Sequence, residues 1–94
     1  MDYLISKATA RKLREKHHVF EYEVIECFQN RTRATIIDNR EEHWTYPPTE
    51  WFIADTDAGR RLKVVLIQMS KTEIVIRTAY QADEIEEEMY ERST

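Results

Sequence analysis

The most apolar part of the chain is Leu62 followed, after Lys63, by Val64-Val65-Leu66-Ile67, with a second aliphatic run at Ile74-Val75-Ile76. Two such runs parted by Ser70-Lys71-Thr72 predict an antiparallel hairpin at the centre of a sheet. Glu50-Trp51-Phe52-Ile53-Ala54-Asp55-Thr56 and Ala34-Thr35-Ile36-Ile37 read as further strands. Their β-branched and aromatic side chains suit a pleated, half-buried surface. Asp57-Ala58-Gly59 turns into the hairpin, and the only glycine falls where a positive φ is wanted. Strands at 34–37, 50–56, 60–69 and 72–80, joined by short connections, make an antiparallel meander the simplest sheet.

Elsewhere the period is helical. Ser6 is a fitting N-cap for a helix over 7–17, with Ala10, Leu13 and His17 on one face and Lys7, Arg11, Lys12 and Arg14 over much of the rest. A second helix over 21–29 turns Val24, Ile25 and Phe28 inward, and the short joint between the two predicts an αα-hairpin. A third helix over 81–92 has Ile85 and Met89 as its apolar side, with Ala82 and Tyr90 near the edges. Met1 to Ile5 is a short apolar lead. Residues 40–49 hold Trp44, Tyr46 and Pro47-Pro48, which excludes a helix interior or a central strand. That stretch reads as a functional loop or as a hydrophobic flap closing one end of the core. The expected fold is one α+β domain over 1–94: two N-terminal helices, a four-stranded antiparallel meander sheet and a C-terminal helix.

Composition narrows the class. An apolar fraction of 41% and a charged fraction of 34% fit a soluble globular protein rather than a disordered one. No apolar run approaches a membrane span, and no signal-peptide-like stretch opens the chain, so no membrane partner is expected and the cytoplasm is the default compartment. Cys27 is the only cysteine and reads as a small buried apolar residue. The net charge of −4 is unevenly placed: residues 81–94 carry six acids against Arg92, leaving the first eighty residues slightly positive. Lys12 and Lys16 belong to a basic segment that suits an anionic partner.

Chemistry by exclusion comes next. The sequence has no Gly-rich phosphate loop, no Cys or His spacing for zinc, no Asp-rich calcium loop and no Ser elbow, so neither metal nor cofactor is expected. His17 and His18 are adjacent and cannot share a helical face; a helix-terminal role is expected of them. What remains is metal-free chemistry on a phosphate, with Arg and Lys holding charge and His or Tyr moving a proton. If Ser70-Lys71 is a two-residue turn, Ile67 pairs with Ile74, Val65 with Ile76, Lys63 with Thr78 and Arg61 with Tyr80 on one face. Arg61, Lys63, Thr78 and Tyr80 then form an anion-binding patch, which a one-residue slip would scatter. His43, on the long loop, is the candidate general acid or base.

Several segments carry a resemblance. Ser6-Lys7-Ala8, Lys16-His17-His18-Val19, Glu23-Val24 and Cys27-Phe28 resemble the opening of BrnT-type proteins. Asp38-Asn39-Arg40-Glu41-Glu42-His43, Trp51-Phe52-Ile53-Ala54 and Gly59-Arg60-Arg61-Leu62-Lys63-Val64-Val65 continue it in order and spacing. The resemblance implies a RelE-like fold and a metal-independent ribonuclease toxin of a type II toxin–antitoxin system, held inactive by an antitoxin protein. It places Arg60, Arg61, Lys63 and the end of the last strand, including Arg77 and Thr78, against RNA. Thr78-Ala79-Tyr80 stands where the family closes its last strand with Ser-Ala-Arg. A non-catalytic protein-binding module of the same fold is the alternative, and a homodimer is compatible with either.

Overall fold

A computed structural model describes residues 1–38 and 45–94. The element order is β1 (Asp2–Leu4), α1 (Lys7–His17), α2 (Glu21–Asn30), β2 (Ile36–Ile37), β3 (Thr49–Asp55), β4 (Arg61–Gln68), β5 (Glu73–Gln81) and α3 (Glu84–Ser93). The fold is α+β, but its sheet is five-stranded, in the order β1-β5-β4-β3-β2, and mixed rather than a four-stranded antiparallel meander. The added strand is the N-terminal lead, which pairs parallel to β5 from Asp2 opposite Glu73 to Leu4 opposite Val75. Three residues are too few for alternation to reveal a strand. Tertiary contact decides it: the Tyr3 ring meets Phe28 at 4.6 Å.

Each face of the sheet follows from the period of two. Phe52, Val64, Leu62 and Ala79 lie on one side and are fully or almost fully buried against α1 and α2, through Leu13, Val19, Val24 and Cys27. Phe28 packs edge-on to Phe52 at 4.9 Å, and the Cys27 thiol donates to the Ala54 carbonyl at 3.6 Å. Burial, reinforced by Glu23 and nearby acids, pushes that thiol up to about 12, so it stays protonated and inert. α3 covers the opposite face, where the Tyr90 ring sits 5.6 Å from Trp51 and its hydroxyl donates to the Ala34 carbonyl at 2.8 Å.

Three expectations are corrected here. The β4–β5 register pairs Lys63 with Tyr80 and Val65 with Thr78, then jumps to Leu66 with Ile76 and Gln68 with Ile74. Arg77 is the extra residue of a β-bulge, and it moves Ile74 and Ile76 onto the α1–α2 face. Arg61, Lys63, Thr78 and Tyr80 still share a face, because their register differs from the expected one by two residues, which preserves parity. α3 is turned over: Ile85 and Met89 are 73% and 52% exposed, while Tyr90 is buried at 2%. Glu86 and Glu87 point inward instead, toward cations. Finally, Tyr46 is 98% exposed and closes no core; Trp44 and His43 lie outside the described residues.

Candidate functional site

α3 begins at Asp83, whose carboxylate accepts the Glu86 amide at 2.8 Å while the Glu86 side chain accepts the Asp83 amide at 3.1 Å. This reciprocal cap fixes the first turn and aims Glu86 at the sheet. One oxygen of Glu86 then accepts from Lys63 Nζ at 2.8 Å and from the Tyr80 hydroxyl at 2.9 Å. Only 12% of the Lys63 side chain and 18% of that of Glu86 are exposed. The Lys63 ammonium also stands over the Trp51 ring, 4.5 Å from its centre, and 5.6 Å from the centre of Tyr80.

The electrostatics follow. Burial disfavours charge on both Lys63 and Glu86, but their mutual hydrogen bond, with help from Tyr80, outweighs it. Lys63 is therefore held above its ordinary value and Glu86 below its own. Burial raises Tyr80, so its phenol keeps its proton. The His17 ring, at the end of α1, lies 5.5 Å from that of Tyr80. Burial, then the charges of Lys16, Lys12 and His18, lower His17, leaving a neutral imidazole at neutral pH.

The remaining expected residues divide by partner. Arg61 binds Glu87 and, at 3.4 Å, Asp55 on β3. Arg60 is turned away from this face. Its guanidinium donates to the carbonyls of His18 at 2.6 Å and His17 at 3.0 Å and pairs with buried Glu23 at 3.2 Å. It ties off the C-terminus of α1, where His18 adopts a left-handed φ of 55°. Thr78 is half-buried opposite Val65, beside the cluster. Lys12, Lys16 and Arg77 are exposed and, among the described residues, have no ion pair. Arg60, Arg61 and Lys63 thus each have a carboxylate partner, whereas the cations at the α1–β5 edge have no ion pair among the described residues.

His17 is the functional candidate that sequence reasoning assigned only to a helix end. The available signal was its place on the apolar face with Ala10 and Leu13, which aims it at the sheet. Among the described residues no group of three or more His, Cys, Asp or Glu is placed to hold a metal ion. Among the described residues no helix is long and apolar enough to cross a membrane. No protein-family model matches the chain, and no curated protein matches it either.

Proposed function

We propose that the chain is a metal-independent ribonuclease toxin with a BrnT-like, RelE-type fold, controlled by an antitoxin protein. The observation that carries the reading is the convergence of Lys63, Tyr80 and His17 on a rigid strand end. A charge, a proton donor and a proton acceptor stand within one cluster there.

The roles follow from protonation. Neutral His17 accepts the proton of an RNA 2′-hydroxyl as that oxygen attacks the adjacent phosphorus. Lys63 leaves Glu86 to stabilise the charge that gathers on the phosphoryl oxygens. Tyr80 gives its proton to the departing 5′-oxygen and regains one from solvent, to which His17 releases the proton it accepted. The new bond joins O2′ to phosphorus, the P–O5′ bond breaks, and the products are a 2′,3′-cyclic phosphate and a 5′-hydroxyl. The substrate phosphate must compete with Glu86 and Glu87 for the cations they hold.

The second reading is a non-catalytic protein-binding module. The outward-facing Ile85 and Met89 favour it. One experiment separates the two: purified protein is incubated with single-stranded RNA in the presence of a chelator. Cyclic-phosphate ends, and growth arrest on expression, are the expected results. Intact RNA together with normal growth ends the ribonuclease reading.

A further inference from the structure

A groove of about 430 Å³ runs between α1 and the outer edge of β5, with Ser6, Thr9 and Lys12 on one wall and Val75, Ile76 and Arg77 on the other. β1 pairs with β5 only as far as Val75, so from Ile76 onward no strand among the described residues lies beside this edge. The bulge leaves Arg77 without a partner on β4, and its exposed side chain lines this groove. Lys12 and Arg77 are both exposed and, among the described residues, neither has an ion pair. Arg11, Arg60, Arg61, Lys63 and Arg92, by contrast, each have a carboxylate partner. Two like charges lining one groove repel each other, and an anion between them relieves the repulsion.

We propose that this groove binds the phosphodiester backbone of single-stranded RNA and delivers the strand to the Tyr80 cluster. The inference rests on the ribonuclease reading and adds to it the site that holds the strand away from the reacting bond. Geometry supports the path. Lys16 lies one helical turn beyond Lys12, about 6 Å along α1, and the next residue is His17. On the other wall, Arg77 precedes Tyr80 by three residues, about 10 Å along β5. Lys12 and Arg77 thus stand on opposite walls of the groove, and α1 and β5 run on from them to His17 and Tyr80, whose rings meet at 5.5 Å. The groove volume lies in the range of small-ligand sites, roughly 300–1,000 Å³, which admits a nucleotide unit but no duplex.

The test is equilibrium binding of a short fluorescent single-stranded RNA to the Tyr80→Phe protein, so that affinity is read without turnover. With Lys12, Lys16 and Arg77 neutralising phosphates, raising salt from about 50 to 200 mM should weaken binding roughly twentyfold. Lys12→Ala and Arg77→Ala should each reduce the logarithmic salt slope by about 0.7, whereas Arg92→Ala on α3 should leave it unchanged. Equal binding of a DNA strand of the same length, left uncut, supports a phosphate contact. Unchanged affinity in both groove variants overturns the proposal, as does an equal loss in Arg92→Ala or preferential binding of an acidic peptide. RNA that is cut normally by the groove variants with unaltered binding removes the groove alone. Salt-dependent binding through Lys12 and Arg77 without any cleavage by the unsubstituted protein removes the ribonuclease reading alone.

Discussion

The imidazole of His17 stands 5.5 Å, ring centre to ring centre, from the phenol of Tyr80, so the last turn of α1 and the end of β5 share one cluster. Beside it, Arg60 ties the carbonyls of His17 and His18 to the start of β4. A helix end and the start of a strand are thereby held together by one side chain.

If His17 accepts the proton, cleavage requires its neutral form. Its pKa is lowered by burial and then by Lys16, Lys12 and His18, so the acid limb of kcat/KM should lie below the ordinary imidazole value of 6.5. Lys16→Ala should move that limb upward. His17→Ala and Tyr80→Phe should each lower kcat by about 10²- to 10⁴-fold. A pH profile that does not respond to Lys16→Ala removes His17 from the mechanism.

Glu86 holds both Lys63 and Tyr80, and on the ribonuclease reading it competes with the substrate phosphate. Its carboxylate is ionised in the fold, with a pKa below the ordinary value despite burial, because Lys63, the Asp83 amide and Tyr80 donate to it. A depressed carboxylate contributes stability above its unfolded pKa, near 4.5, and loses that contribution as pH falls through the folded value. Glu86→Gln should therefore cost about 1–3 kcal/mol in urea unfolding at pH 7, with the difference shrinking in acid. The same substitution should tighten RNA binding, because Lys63 no longer has an anionic partner. Weaker RNA binding by the folded variant contradicts the competition described above.

Arg60 is expected to behave as a structural residue. Removing its guanidinium leaves Glu23, with only 10% of its side chain exposed, and the α1 carbonyls without their donor. Arg60→Ala should cost about 3 kcal/mol, and Arg60→Lys should recover little, because an ammonium cannot span those acceptors. Protein that remains folded at low temperature should bind RNA with the same salt slope as the unsubstituted chain. A reduced slope would show that Arg60 contacts phosphate after all.

Local pattern carried much of the fold and less of the site. α1 is legible because Ser6 caps it and good helix formers fill it: the Ser6 hydroxyl accepts the Thr9 amide at 3.0 Å. Gly59 adopts a φ of 85° where the β3–β4 turn needs it. β1 was not legible, since its three residues gain their structure from β5 and Phe28. Nor was the bulge at Arg77: an insertion of one residue leaves the alternation of each half intact and shows only where strands pair. The shared face of Arg61, Lys63, Thr78 and Tyr80 survived the error because parity did. His17 was missed because its partner is remote in sequence.

The orientation of α3 is the sharpest failure of hydrophobic periodicity and can be tested directly. Ile85 and Met89 have the spacing of a core face, yet the helix buries Tyr90 and directs Glu86 and Glu87 at Lys63 and Arg61. Charge complementarity, the buried Tyr90 ring against Trp51 and the Asp83 cap together outweigh two aliphatic side chains. Ile85→Gln and Met89→Gln should consequently change stability by no more than about 0.5 kcal/mol. In the rotated helix expected from the sequence, truncating either residue to Ala would cost about 2–5 kcal/mol. Tyr90→Ala, by contrast, should cost about 3–5 kcal/mol through the loss of a buried aromatic ring. Chemical denaturation of the three variants decides between the orientations: a large loss at Ile85 with a small one at Tyr90 would turn the helix over and release Lys63 and Arg61 from their carboxylates.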